Sequence, residues 1–371
     1  MIYKQALMND TTRTSHTVPA RYWHKLNDGR LQCDLCPRLC KLNDGQKGVC
    51  FVRERQGEQI MLTTYGRSSG FCVDPIEKKP LNHFLPGTAI LSFGTAGCNL
   101  TCKFCQNWDI SKAKQDHRLT DQASPEALAQ TAKALDCSSI AYTYNDPVIF
   151  LEYAVDVAKA CREWGIKNVA VSAGYISPEP AVEFFSHMDA ANIDLKGFTD
   201  DFYYKLCGAH LQPVLDTLKY IKHQTDTWLE MTTLLIPGEN DSAKELNEMT
   251  RWVASELGAD VPMHFSAFHP DWKMRDKQRT PLATLQRARR IAMQNGLRYV
   301  YTGNVVDPVG ASSWCHGCGE LLIERDRYTL GNWRLDSQGQ CNHCGTAVSG
   351  VFTLQPGDWG SRRMPVRIVG G

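Results

Sequence analysis

Three cysteines stand close together in the segment Gly97-Cys98-Asn99-Leu100-Thr101-Cys102-Lys103-Phe104-Cys105. Thiolates spaced x3 and x2 can converge on one inorganic centre. Three is one fewer than zinc or a plain electron-transfer cluster takes from a protein. On a cubane of four irons, three ligands leave one iron open to a small chelating molecule. Phe104, just before the third cysteine, suits a hydrophobic shield. The competing reading is a structural zinc site that borrows His83 or Asp109 as its fourth ligand.

Two further groups bracket this triplet. Cys315-x2-Cys318 and Cys341-x2-Cys344, with x22 between them, make the pattern of a zinc ribbon, each knuckle followed by a glycine (Gly319, Gly345). Iron of the rubredoxin type is the alternative, since the same thiolates accept either ion. Cys33, Cys36, Cys40 and Cys50 are spaced x2, x3 and x9. Ferredoxin-type clusters prefer x2–x2 spacing followed by proline, and this group has neither. Zinc asks only for a tetrahedron of sulfur and is favoured here, with an auxiliary [4Fe–4S] cluster as the alternative. Cys72, Cys137, Cys161 and Cys207 stand alone and are expected to be small buried hydrophobes.

The elements that must position these thiols are read from periodicity. Apolar runs at 88–93, 139–143, 168–171, 191–195, 228–236, 263–268 and 299–301 read as strands. Helices are expected at 124–135, 148–164, 179–187, 214–223, 243–257 and 282–294. Alternating strand and helix argues for a parallel sheet. Residues of unusual type cluster just after the strands, as at Tyr144-Asn145-Asp146-Pro147, Asp194-Leu195-Lys196 and Phe268-His269-Pro270. A barrel gathers all its strand ends on one face, whereas an open doubly wound sheet focuses only those near its switch point. The expected fold is therefore α/β, a partial (β/α)6 TIM-like barrel, with a Cys-rich N-terminal segment and a zinc-ribbon-like C-terminal module. The expected divisions are a flexible 1–20, a metal-binding 21–85, a barrel at 86–312 and the module at 313–371.

Composition sets limits. The chain has 371 residues, 43% of them hydrophobic, enough for a sizeable core, and a net charge of +1 with acids and bases intermixed. Nothing in that balance calls for nucleic acid or a membrane surface. The apolar runs are too short to span a bilayer, and residues 1–20 are polar where a signal peptide is apolar. A cytoplasmic location is expected.

The string CNLTCKFC matches the CxxxCxΦC signature of radical S-adenosylmethionine (SAM) enzymes. The wider stretch GFCVDPIEKKPLNHFLPGTAILSFGTAGCNLTCKFCQNWDIS resembles the radical SAM component of the AmmeMemoRadiSam system. That group is similar to pyruvate formate-lyase activating enzymes. The resemblance runs over roughly residues 30–350 and includes both flanking cysteine groups. It implies a [4Fe–4S] cluster on Cys98, Cys102 and Cys105, with SAM on the open iron. Reductive cleavage of SAM would yield a 5′-deoxyadenosyl radical that abstracts hydrogen from the substrate.

The resemblance also implies a SAM pocket. Asn145 and Asp146 occupy the place of a Gly-Gly-Glu-Pro-like turn that holds the SAM amino group, though the double glycine is absent here. Ser172 matches a third-strand turn near the ribose or carboxylate, and Asp194 with Lys196 matches an Asp-Leu-Lys motif. His269 matches a strand-six histidine near SAM, while Ile236-Pro237-Gly238 and Gly303-Asn304 would let adenine lie close. Each has a plainer reading: a helix cap at Asp146, a turn serine, a structural Asp–Lys pair, a structural histidine. None of these residues is an obvious general base, so no catalytic side chain is assigned. The implied partners are a flavodoxin or ferredoxin electron donor and Ammecr-like and Memo-like companions, with the substrate unidentified. Glycyl-radical activation of a partner protein is the alternative function, and a non-catalytic zinc-ribbon protein binding nucleic acid is the alternative from another class.

Overall fold

The computed structural model describes residues 16–112, 119 and 121–368; most of the segment expected to be flexible, 1–20, lies outside them. The sequence supplies seven predominantly apolar runs, and these become seven parallel neighbours: β1 (Ala89–Phe93), β2 (Ser139–Tyr142), β3 (Lys167–Ser172), β4 (Ala190–Asp194), β5 (Trp228–Leu235), β6 (Met263–Ala267) and β7 (Val300–Gly303). Every residue of β1, β2 and β6 is buried, as a parallel sheet covered on both faces requires. The strands lie side by side in chain order, with Ser139 opposite Ile90 and Asp194 opposite Thr232. That order contains no reversal, so there is no switch point, and all the strands end at one edge.

The architecture is thus mixed α/β around a large parallel sheet. Among the described residues it is not closed by hydrogen bonds. Outside β1 runs the antiparallel strand Phe71–Pro75, and beyond it Met364–Val366 near the carboxyl end. Neither was expected from the sequence.

The linking helices follow their start signals. In α1 (Pro125–Ala134) Ser124 caps the Ala127 amide at 3.1 Å with proline at the first position. Asp146 caps Val148 at 3.1 Å and opens a 3₁₀ turn, Pro147–Phe150, ahead of α2 (Leu151–Glu163), so the helix expected from 148 begins in two steps. Then come α3 (Pro178–Ser186), α4 (Gln212–Gln224), α5 (Ala243–Trp252, continued by a π turn at Val253–Leu257) and α6 (Leu282–Gln294).

The N-terminal segment forms a small sheet of Trp23–Lys25, Leu31–Cys33 and Lys41–Leu42, and a hairpin of Arg53–Gln56 with Gln59–Leu62. Its Leu31, Leu35 and Ile60 share one core with the barrel residues Phe93, Tyr142 and Ile149. The buried Arg53 is ion-paired to the buried Glu152 of α2. The C-terminal strands Ser313–Trp314, Leu321–Asp326 and Thr329–Trp333 pack around Leu322, Ile323, Leu335 and Val348 against Tyr299 and Tyr301. Among the described residues no helix is long and apolar enough to cross a membrane.

Candidate active site

The loop after β1 carries the three central cysteines, and its path is forced by close backbone approaches. A methyl group on Gly94 would fall 2.3 Å from the Thr143 carbonyl oxygen, and one on Gly97, at φ +85°, would fall 1.9 Å from that of Cys50. Only glycine fits either place. The loop is pinned by Asn145, whose Oδ1 accepts from the Thr95 amide at 3.1 Å and whose Nδ2 donates to the Gly97 carbonyl at 2.9 Å. From the other side, the amides of Thr101 and Lys103 donate to the carbonyls of Cys207 and Leu206, each at 2.8 Å, in a π turn spanning Tyr203–Cys207. Phe104 is buried against Phe202, ring centroids 5.8 Å apart, which keeps water from one flank of the loop.

Cys98, Cys102 and Cys105 open onto a cavity of about 550 Å³, within the usual range of cofactor sites. Asn145, Asp146, Ser172, Asp194 and Lys196 line the same cavity, so the structure brings together five residues from three strand ends. Asp146 is held by three donors: the Ala173 amide at 2.9 Å, the Ser172 hydroxyl, 3.0 and 3.2 Å from its two oxygens, and the Val148 amide. Burial nonetheless pushes its carboxyl above the ordinary range. Lys196 Nζ lies 2.8 Å from Asp194 Oδ2. Burial works against its charge, but Asp194, Cys102 and Cys207 outweigh that and keep it protonated. The thiols differ from one another. Burial pushes Cys98 up to about 12, whereas a hydrogen bond from the Cys207 thiol, together with the charges of Lys196 and Lys112, draws Cys102 down.

Other expected residues lie elsewhere. His269 is exposed at the rim, 2.9 Å from Gln106 Nε2, and is not among the residues that line the cavity. Asn304 lines it, whereas Ile236, Pro237, Gly238 and Gly303 do not. His83 is buried in a separate network with Tyr301 and Ser349, and Asp109 is exposed, so neither serves the triplet as a fourth ligand. The four lone cysteines are all buried as expected, but Cys207 is more than filler because it touches Cys102.

Sequence reading missed Lys78, Lys79, Tyr144, Thr232, Tyr328 and Arg363, all of which line the cavity. Lys78 and Lys79 flank Asp74 at 2.8 and 2.7 Å, and Tyr144 donates to it at 3.0 Å. Burial alone would raise Asp74; the two lysines more than cancel this and hold it at about 2. Burial lowers Lys79 to about 8, only partly offset by Asp74. Tyr144 itself sits at φ +72°, in the left-handed region that glycine enters most freely.

At the other end, Cys315, Cys318, Cys341 and Cys344 form the only group of three or more Cys, His, Asp or Glu ligand atoms within 4.8 Å of one another among the described residues. Opposed sulfurs are 3.6 Å (Cys315–Cys344) and 3.8 Å (Cys318–Cys341) apart, a set that can hold one metal ion.

A profile of the Radical SAM superfamily matches residues 93–252, which contain the cysteine loop and all five strand-end residues. Over 334 residues the chain is 40% identical to an uncharacterized protein of Methanocaldococcus jannaschii, covering 90% of this chain and 99% of that one. The chain belongs to the radical SAM superfamily. It is 24% identical to a pyruvate formate-lyase-activating enzyme of Clostridium pasteurianum, over 48% of this chain and 80% of the relative. A solved radical SAM methyltransferase from Sphaerobacter thermophilus aligns over 83% of this chain and 81% of its own, at 16% identity and a TM-score of 0.47.

Membership in the radical SAM superfamily makes this an enzyme and implies a [4Fe–4S] cluster and SAM. The residues present fit both. Three thiols without disulfide partners face the cavity, and its wall offers the carboxylates of Asp146 and Asp194, the ammonium of Lys196, and the amide and hydroxyl of Asn145 and Ser172. Thr232 Oγ1 is buried in that wall with no hydrogen-bond partner, as expected of a group awaiting a polar ligand.

Proposed function

We propose that this radical SAM enzyme cleaves SAM reductively, with Cys98, Cys102 and Cys105 holding the cluster. The reading is carried by one observation: these three thiols share a cavity with Asn145, Asp146, Ser172, Asp194 and Lys196. When bound, the cluster and SAM supply a 5′-deoxyadenosyl radical that abstracts hydrogen from the substrate.

The chain's own groups do the positioning. Asp146 and Asp194 are acceptors for the SAM ammonium and ribose, and Lys196 offers a cation to the carboxylate. Ser172 fixes the Asp146 carboxylate from below. Asn145 acts through the loop, not through SAM alone. No side chain is needed as a general base, because the abstracted particle is a hydrogen atom. Tyr328 and Arg363, brought by the C-terminal part of the chain, add a phenol and a guanidinium to the cavity wall, which suits a small polar substrate. Glycyl-radical activation is the second reading, favoured by the activating-enzyme relatives. A low-potential flavodoxin or ferredoxin is the proposed electron donor, and Ammecr-like and Memo-like proteins are proposed companions.

For the C-terminal quartet we propose zinc. A tetrahedron with Zn–S bonds of about 2.3 Å sets sulfurs about 3.8 Å apart, close to the separations of 3.6 and 3.8 Å seen here.

The deciding assay is anaerobic. Reconstituted protein with a strong reductant is expected to convert SAM to 5′-deoxyadenosine and methionine, and alanine at Cys98, Cys102 or Cys105 to abolish it. Undiminished turnover in any of the three variants would remove the cluster assignment.

A further inference from the structure

The N-terminal cysteines Cys33, Cys36, Cys40 and Cys50 line one small enclosed cavity, with Arg38, Arg53 and Asn99 in its wall. All four thiols are free; three are buried and Cys40 is partly so. The turns that deliver them are held in conformations that side chains seldom adopt. Leu39, next to Cys40, sits at φ +46°, and Phe51, next to Cys50, at φ +67°. Two non-glycine residues in the left-handed region, each beside a converging thiol, mark a site whose geometry is imposed from outside the local sequence. Of the two arginines in its wall, Arg53 is ion-paired to Glu152, whereas Arg38 Nη2 is buried without a hydrogen-bond partner, so an anionic centre suits the cavity better than four neutral thiols.

The sulfur spacing separates the two candidate centres. Zinc contracts its four sulfurs to about 3.8 Å, and the C-terminal quartet is contracted to that degree. In a cubane each thiolate hangs from its own iron, so the four sulfurs stand about 6 Å apart. Among the described residues only the C-terminal group gathers three or more ligand atoms within 4.8 Å. No three sulfurs of the N-terminal quartet meet that limit, nor do the three of the Cys98–Cys102–Cys105 triplet. Using the triplet as a ruler rests on the radical SAM reading; using the zinc quartet does not.

We propose that Cys33, Cys36, Cys40 and Cys50 hold a second [4Fe–4S] cluster, with all four irons ligated by protein. This reverses the preference for zinc drawn from sequence spacing, which reports the order of thiols along the chain and not their separation in space. The second centre abuts the first. Cys98 lines the main cavity, and its neighbour Asn99 lines the N-terminal one. The Asn99 carbonyl accepts from Arg38 Nε at 2.8 Å, and Gly97 lies against the Cys50 carbonyl. One peptide segment is the wall between the two sites.

The test uses the full chain with Cys98, Cys102 and Cys105 all changed to alanine, reconstituted anaerobically with iron and sulfide. About four irons per chain are expected to remain, half the wild-type content of about eight, with one zinc. On reduction the variant is expected to give an EPR signal that added SAM leaves unchanged, because no iron is open. The complementary variant, Cys33→Ser/Cys36→Ser, is expected to lose half the iron and keep the signal that SAM perturbs; retained zinc shows that it is folded. A triple variant with no iron, whether it carries one zinc or two, overturns the proposal. Wild-type protein that fails to cleave SAM while the triple variant keeps four irons would instead overturn the radical reading and leave this one standing.

Discussion

Asn145 at the end of β2 donates through Nδ2 to the carbonyl of Gly97, 2.9 Å away in the loop after β1. One side chain thus ties together the two strand ends between which the cluster must sit. Its Oδ1 is spent on the Thr95 amide, so little of the residue is left for a ligand.

Asn145→Ala should therefore act on the loop before it acts on SAM. It strands a buried amide and a carbonyl, at a cost of about 1–3 kcal/mol. The expected outcome is a loss of iron after reconstitution that approaches half the wild-type content, with zinc unchanged. Full iron loading by metal analysis would show that the loop holds itself.

Asp194→Ala should have the opposite signature. Asp194 and Lys196 face the cavity and bond each other at 2.8 Å, but neither holds the cysteine loop by a hydrogen bond. The expected result is SAM affinity weakened about tenfold, roughly 1.4 kcal/mol, with the cluster's visible absorption intact. Anaerobic equilibrium binding measures it, and an unchanged Kd would place SAM elsewhere.

The seven parallel strands were legible because strands buried on both faces are predominantly apolar, with only a few polar residues such as Glu230 and His264 among them, and Ser124-Pro125 or Asn295-Gly296 punctuates the helices between them. The cysteine groups were legible because converging thiols need close spacing. What escaped depends on contacts distant in sequence. Met364–Val366 joins the sheet by pairing with Phe71–Pro75, and no local pattern announces it. Lys78 and Lys79 lie in the stretch that resembles the radical SAM component, yet only the fold turns them toward the cavity. Cys207 reads as an isolated hydrophobe until the π turn sets it against Cys102. Nor does the sequence flag a tyrosine at φ +72°, because Tyr144 sits where glycine is the usual signal.

Tyr144→Phe isolates the polar part of that residue's role. It removes the bond to Asp74 but leaves the ring beside Lys79, whose Nζ is 5.0 Å from the ring centroid. Asp74 keeps both lysines. A loss of about 1 kcal/mol in stability is expected, with iron content unchanged. A loss of iron as well would mean that Tyr144 helps to shape the cluster loop through its neighbour Asn145.

The last prediction concerns pH and the seam between barrel and C-terminal module. His83 is buried, with Nδ1 2.7 Å from the Ser349 carbonyl and Nε2 2.5 Å from the Tyr301 hydroxyl. A carbonyl only accepts, so Nδ1 carries the proton and Nε2 accepts from Tyr301; the chain continues to Ser313 and Arg325. That arrangement requires a neutral ring. Burial lowers the His83 pKa from 6.5 to about 4, with Glu230 and the Ser349 carbonyl pulling the other way. The unfolded chain therefore binds this proton first as pH falls. The stability due to a neutral His83 is fully present above pH 6.5 and is lost progressively down to about 4, amounting to about 3 kcal/mol. Glu77 runs in the opposite sense: burial raises it to about 7, so its contribution falls as pH rises from 4.5 through 7. The reading must accordingly be a difference between variants. Urea unfolding at pH 7 and pH 4.5 should show His83→Gln less stable than wild type at pH 7, because the seam loses bonds, but with a shallower loss on acidification. Parallel losses in the two proteins would mean that some other group takes up the proton.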